Sequence, residues 1–429
     1  MLFRFCLYGF LKNQRYFEPF LMLVFLDRGL SFFAIGLLIA CRDHAVNLLE
    51  IPSGAAADAF GRRRAMMLSF VAYIASFLVL ATTSNLTWLF AGMFLFGVGD
   101  TLRTGTHKAM IFEWLRINGR SDERTKIYGL TRSWSQIGSA VSGVIAAIFI
   151  LISGSYQYVF YFAIAPYALN LINFAGYPSA LDGEHEKAAS VKETAIRLKN
   201  SLSHAIRIPA LRRLMLESMG WGGFFAATKD YLQPVLQSAA VIGIAFLLGQ
   251  NDSVSSPESP WLNDPRKSAL LIGPVYALLF LASAVASRNA HHFVNRTGSE
   301  SNASTQLWLI SSVLYISIGI AGGFNWIPVL IVAFVCLHIL RNLWRPILIS
   351  RFDAHSEAKE GATILSIESQ SRRIATLVFA PAIGWAIDSV RQQGWGGEYW
   401  PIGLVGGLIA IGMYGTSSGL TSPANRSDR

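Results

Sequence analysis

Charge is what this sequence has least of. Only 14% of its 429 residues are Asp, Glu, Lys or Arg and 52% are hydrophobic, whereas an ordinary soluble domain carries about a quarter charged residues. A chain this apolar is hard to keep in water, which excludes an ordinary soluble domain. Cysteine is scarce as well: Cys6, Cys41 and Cys336 all lie in apolar segments, at spacings that suit neither a metal site nor a disulfide framework. No metal and no cofactor is expected. A phosphate-cradling loop is missing, since "GVGDTLRTG" has neither the Walker spacing nor its lysine. That argues against ATP-driven work on this chain. The first apolar run also lacks a small-residue cleavage site, so it is expected to stay as a first span.

What is present is a succession of apolar segments, each about 20 residues long and so able to cross roughly 30 Å of hydrocarbon as a helix. Spans are expected at 7–27, 30–57, 64–84, 86–114, 127–153 and 156–178, then at 210–248, 267–288, 306–324, 327–350, 362–388 and 399–417. The segment 210–248 is too long for one crossing, and Pro234 should bend or break it. The expected fold is an all-α polytopic membrane protein: twelve transmembrane helices in two six-helix pseudo-repeated halves. The halves are 1–178 and 209–429, joined by a charged linker at 179–208. Faint internal similarity supports the pairing, with "RSWSQ" early in the fifth span and "SIESQ" early in the eleventh.

Loop charge orients the chain. Arg62, Arg63, Arg64, Arg116, Arg120 and Arg124 fall in alternate connections with the lysines of the linker, whereas "ATTSN", "SGSY" and "GGFNW" carry no base. By the positive-inside rule the basic side is cytoplasmic, which puts both termini there, in a cell membrane and by expectation a bacterial inner one. The net charge of +10 is then mostly topology, and no nucleic-acid partner is expected. The lipid bilayer is the expected surrounding, and the chain is expected to be a monomer.

Between the second and third spans stands "SGAAADAFGRRRAMM". Gly54 and the alanines make a smooth helix surface, Asp58 lies at the membrane edge, Gly61 permits a reversal, and Arg62, Arg63 and Arg64 hold the turn on the cytoplasmic side. This stretch resembles the signature of the major facilitator superfamily, Gly-x-x-x-Asp-(Arg/Lys)-x-Gly-x-(Arg/Lys)-(Arg/Lys), with Gly54, Asp58, Gly61, Arg63 and Arg64 in place and Ala59 departing. The resemblance extends over nearly the whole chain through its spans and linker. It implies a conformational latch at these residues, closing the cytoplasmic face, with Glu113 or Asp122 as partners of the arginines. The matching turn of the second half, "SAVASRNAHHFVNR", has lost both the glycine and the acid.

A charge at the centre of a bilayer costs about 3 kcal/mol, so such residues usually face a wet cavity or a partner. Glu18, Arg42, Asp43, Asp100, Arg103, Arg132, Gln136, Arg341, Glu368, Arg372 and Arg373 all fall within roughly 10 Å of mid-depth when counted from the span ends. Asp43, Asn47 and Glu50 recur at i, i+4 and i+7, on one helix face. Asp100 and Arg103 are spaced to pair, as are Arg15 and Glu18, whereas adjacent Arg42 and Asp43 are expected to point apart. These residues are the candidate substrate or proton site; neutral structural pairing is the competing reading for each. The resemblance adds that many superfamily members carry a fourth-helix arginine implicated in proton coupling, which Arg103 matches with different neighbours. The superfamily's antiporter signature appears only as "GSAVSG", without its proline.

The expected function is secondary active transport of a small organic solute by alternating access, coupled to protons. Drug or metabolite efflux by antiport is the alternative. A non-transporting sensor or a membrane-embedded enzyme is further off, since His291 and His292 lack the partners of a catalytic or metal site. Bases outnumber acids at mid-depth, which leans towards an anionic or zwitterionic solute. The topology is directly testable: in intact cells an impermeant thiol reagent should label a cysteine placed at Ser255 and spare one at Ser190. The reverse pattern overturns the orientation.

Overall fold

In the computed structural model the described residues are 1–182, 196, 203, 206–247, 264–354, 361–394 and 396–418, without the side chains at 51, 55, 56, 58–60, 125, 244, 245, 247 and 361–365. Most of the expected linker and of the loop Gln250–Lys267 therefore lies outside the described residues. Among the described residues there is no strand. A hydrocarbon surrounding offers no water to backbone N–H and C=O groups, so an open sheet is excluded and helices satisfy them internally.

The helices are α1 (Leu2–Lys12), α2 (Leu21–Asp27), α3 (Phe32–Phe60), α4 (Arg62–Thr82), α5 (Leu86–Arg103), α6 (Thr106–Ile117), α7 (Arg124–Ser153) and α8 (Tyr158–Ala175). They continue with α9 (Pro209–Glu217), α10 (Phe224–Thr228), α11 (Leu232–Leu247), α12 (Pro265–Arg288) and α13 (Ala290–Thr297). The last are α14 (Glu300–Gly323), α15 (Ile327–Asp353), α16 (Gly361–Gln393) and α17 (Trp400–Ser418). Eight helices among the described residues are long and apolar enough to cross a membrane, and Trp400–Thr416 is a shorter apolar one. The protein is an all-α, multi-pass membrane protein.

Three expected spans are not continuous helices. The first breaks between α1 and α2, where Pro19 lies. The fourth breaks after Arg103, where Gly105 takes φ +81°, a conformation few other residues adopt. The segment 210–248 departs from the α-helix twice, through a π-helical turn at Ser218–Gly223 and a 3-10 turn at Lys229–Tyr231. The second departure comes just before Pro234, which has no N–H for the carbonyl of Asp230. The first owes nothing to proline and lies well upstream of the expected break. Hydropathy registers composition, and backbone continuity leaves no trace in it.

By contacts the chain forms two compact units, one of Met1–Gly29, Leu38–Lys199 and Ala240–Phe280, the other of Leu30–Leu37, Asn200–Ala239 and Leu281–Arg429. In the first, α4 packs on α5 and α8. Ser76 Oγ donates to the Gly92 carbonyl at 2.8 Å and Ser69 Oγ to that of Gly99 at 2.7 Å. Small residues let these backbones approach, as membrane helices need. Phe70, Tyr73 and Phe77, on one face of α4, are almost fully buried and meet Tyr167 edge-on at 4.9–5.8 Å. The same unit holds α12 as far as Phe280, and Gly273 of that helix abuts Ala147 of α7.

In the second unit α14 and α17 cross where Gly403 lies against the backbone of Gly319 and Tyr315. A methyl there has no room, and overpacking a tight contact typically costs about 1–3 kcal/mol. Gly407, one turn on, would place its methyl 3.8 Å from Ile316, an ordinary contact. Gly403→Ala should therefore lower the thermal unfolding temperature of the purified protein, while Gly407→Ala leaves it unchanged or raises it. Equal tolerance of both would refute this packing.

Candidate functional site

A cavity of about 370 Å³ opens in the first unit among α1, the α5–α6 junction and α7. Helix breaks build it. Because α1 ends at Lys12 and α5 at Arg103, both cations stand in the last turn of a helix, where the C-terminal dipole favours positive charge. Helix α6 starts beside the cavity at Thr106, with no side-chain cap. Across from them, α7 presents Arg132 and Gln136, one turn apart.

Of the residues expected at mid-depth, Arg103, Arg132 and Gln136 line this cavity together. Behind it, Asp100 is held from two directions. Tyr73 donates its hydroxyl proton to Asp100 Oδ1 at 2.5 Å, and Arg103 Nη2 donates to the same oxygen at 2.9 Å. Arg103 Nε also donates to the Tyr73 oxygen at 3.1 Å. Arg15 and Glu18 pair at 3.8 Å. Lys12 is within electrostatic reach of Arg103, Arg15, Asp100 and Glu18.

Arg42 and Asp43 correct the expectation that they point apart. Arg42 Nε and Nη2 reach Asp43 Oδ1 at 3.0 and 2.9 Å. Their Cβ atoms diverge, but the long arginine stem curls back to bridge the gap. Asp43 is buried and Asn47 half-buried on α3, and neither they nor Arg42 line the cavity.

The turn expected to act as a latch is tied down within its own unit. Gly61 takes φ +96° and starts α4. The Arg63 backbone N–H donates to Asp182 Oδ1 at 2.6 Å, and Arg63 Nη1 to the Tyr177 carbonyl at 2.9 Å. A carboxylate here satisfies a free N–H of the first turn and meets the positive end of the helix dipole. Asp182 thus takes the backbone N–H of Arg63, while the guanidinium goes to the Tyr177 carbonyl. Glu113 is taken by Arg116 at 2.8 Å, with the charge of Arg62 nearby, and Asp122 is within electrostatic reach of Arg120, which pairs with Glu123 at 2.7 Å. Gly54 and Arg64 are exposed, Arg62 is half-buried, and the side chain of Asp58 lies outside the described residues.

The second unit gathers its charge differently. Glu368 of α16 is 1% exposed and accepts from Arg345 Nη1 and Nη2 at 2.5 and 2.8 Å, and from Ser218 Oγ. Arg372 stands 3.9 Å away. A second buried acid, Glu217, accepts from Arg351 at 2.6 Å and Ser304 at 2.9 Å and pairs with Arg213 at 3.2 Å. The π-helical turn joins these two nodes: its residues Gly222 and Gly223 leave space for Arg372 and Ala375, and its Trp221 stacks on Trp344 with centroids 5.6 Å apart. Arg341 stands 5.5 Å over the ring of Phe225. Among the described residues no group of three or more His, Cys, Asp or Glu could hold a metal ion.

A model of the Major Facilitator Superfamily matches residues 5–380. The chain belongs to that superfamily. As a superfamily member it is a membrane transporter rather than an enzyme. Among solved structures it is similar to the nucleoside transporter NupG, with 11% identity over 98% of this chain and 96% of that one and a TM-score of 0.70. A D-xylose-proton symporter matches at 15% identity, 96% and 95% coverage and a TM-score of 0.66. A POT family transporter in complex with a thioalcohol-conjugated peptide matches at 16% identity, 98% and 96% coverage and a TM-score of 0.68. Identities this low show the fold alone. Comparison with curated proteins gave no match.

Several residues of these superfamily nodes carry no mark in the sequence that spacing along one helix can read. Tyr73, Lys12, His107, Glu217 and Arg351 acquire their roles through packing. Arg345 had a readable signal, standing four residues after Arg341 and so on the same face of α15. Breaking a buried pair by removing one partner typically costs about 3–5 kcal/mol, because the other charge is left uncompensated. Glu368→Ala should therefore destabilise the protein strongly in a denaturation or thermal-shift series, and Arg345→Ala added to it should restore part of the loss. Additive losses would mean that the two do not interact.

Proposed function

We propose that this transporter moves a small organic solute by alternating access and draws on a proton gradient, with Asp100 as the acid that binds and releases the proton. The observation that carries this reading is the double placement of Arg103. It lines the cavity and also holds Asp100 at 2.9 Å. A guanidinium has donors enough for either partner but one position at a time. When Arg103 turns to a solute in the cavity, Asp100 loses its countercharge, and a carboxylate so deprived in a partly buried setting takes up a proton. When the solute leaves, Arg103 returns and the proton is released. Tyr73, donating to Asp100 and accepting from Arg103, keeps the pair in register.

Alternating access in this reading moves two six-helix halves, 1–178 and 209–429, about the linker at 179–208, with both termini cytoplasmic in a bacterial inner membrane. The turn at Gly54, Asp58, Gly61 and Arg62–Arg64 acts as the latch on the cytoplasmic face. Glu18, Arg42, Asp43, Asn47, Arg341, Glu368 and Arg372 then position the helices that line the path.

Asp100→Asn keeps the size and one acceptor but cannot carry the proton. In proteoliposomes it should abolish pH-driven accumulation of the solute that most raises the protein's unfolding temperature in a ligand screen, while solute exchange continues. Accumulation with normal pH dependence would remove Asp100 from the coupling role. So would loss of exchange together with accumulation, which marks a binding or folding residue.

A further inference from the structure

The lining of the first unit's cavity has an unbalanced charge. Lys12, Arg103, Lys108 and Arg132 all face it, and among the described residues no carboxylate does. Arg103 is matched by Asp100 behind the wall. The side chains of Lys12 and Arg132 make no hydrogen bond or ion pair with other described residues, and Lys108 rests over the rings of Phe112 and Tyr128, 5.5 Å from each centroid. Three cations are thus left without an ion-paired acid, although the charges of Asp100 and Glu18 reach Lys12. The second unit treats its arginines otherwise, giving Arg345 to Glu368 and Arg351 to Glu217. Unmatched charge inside an apolar protein is costly and marks a pathway or a ligand site.

A second observation points the same way. His107 is only 8% exposed and lines the cavity, yet its Nε2 has no hydrogen-bond partner. The ring is fixed by Tyr8, 3.8 Å away between centroids, and by Phe5 at 5.6 Å. A buried polar atom left open this way needs a partner from outside the chain. The uncapped start of α6, one residue before His107, adds free backbone N–H groups and a positive dipole end on the same side.

We infer that this cavity binds the doubly charged oxyanion head, phosphomonoester or dicarboxylate, of the transported solute. The inference rests on the transport reading for the word "transported" and on the cavity alone for the chemistry. A single negative charge would leave two of the three cations unmatched, whereas a dianion leaves one. The volume of about 370 Å³ stands at the small end of ligand cavities. It suits such a head with a short carbon skeleton against Phe5, Tyr8 and Ile111. Arginine and lysine at several angles, with the open Nε2 of His107 beside them, can surround the oxygens of the head.

The test uses the full-length protein in phosphatidylcholine nanodiscs, titrated calorimetrically at neutral pH with phenyl phosphate, phenyl sulfate and succinate. Phenyl phosphate, a dianion, should bind in a salt-sensitive manner and at least about tenfold more tightly than phenyl sulfate, a monoanion on the same ring. Lys12→Gln and Arg132→Gln should each weaken it about tenfold, the worth of one hydrogen bond to a charged group. Lys12→Arg and Arg132→Lys should keep it, which separates loss of charge from loss of fold. Succinate binding extends the site to dicarboxylates, and its failure beside phenyl phosphate restricts it to phosphates. Equal binding of phosphate and sulfate, or full binding by the Gln variants, overturns the inference. Adding phosphatidic acid to the nanodiscs distinguishes the source, since displacement of phenyl phosphate by this lipid would assign the cavity to a headgroup and overturn the solute assignment. Binding without uptake into proteoliposomes would sink the transport reading and leave the site. Uptake of a neutral solute undiminished in Lys12→Gln would do the opposite.

Discussion

A carboxylate shut among apolar helices has to be held by cations, and in this protein that requirement fixes which helices meet and at what register. Glu368 collects Arg345 from α15, Arg372 from its own helix and Ser218 from the π-helical turn. Glu217, the residue before Ser218, collects Arg351 and Ser304. Two consecutive residues therefore serve two separate acid nodes. A regular helix separates adjacent side chains by about 100°, and the wider π turn that starts here accommodates the divergence. Desolvation makes a partial version of this arrangement costly, so the helices of the second unit are pinned together as a set.

The acid of the first unit is held less tightly. The Asp100 side chain is 21% exposed against 1% for Glu368. Its cation, Arg103, has solvent on the cavity side, where Arg345 is committed to both oxygens of its acid. An ion pair that water can reach exchanges partners at modest cost, whereas a dry bidentate pair does not. In the proposed cycle an arginine thus serves structure in one unit and traffic in the other, and burial decides which.

Most of the membrane fold was legible in the sequence because its physics is one-dimensional. A segment of apolar residues about 20 long has few other places to go, and basic residues avoid crossing. The pairs Asp100–Arg103 and Arg15–Glu18 were legible for a similar reason: both partners share a helix, at i and i+3. Illegible were Arg345–Glu368 and Glu217–Arg351, partners distant along the chain. Arg42–Asp43 was misread because helix geometry sets where a Cβ points, while the reach of an arginine is set by its stem. The cavity depends on the breaks after Lys12 and Arg103. The second had a cue in Gly105, but hydropathy runs straight across both.

The two glycines of the π turn have a bearing on sequence drift. A β-carbon at Gly222 would meet the side chain of Arg372, and one at Gly223 that of Ala375. Neither glycine touches an acid, yet both set where Arg372 can lie beside Glu368. Nearly every codon change at these positions adds at least a methyl and pushes the cation aside. Among descendants of this sequence, variation should therefore be thinner at this uncharged pair of residues than at many of the charged ones on the surface. Where one of the two does change, a smaller residue at position 372 or 375 is the compensating change to expect with it.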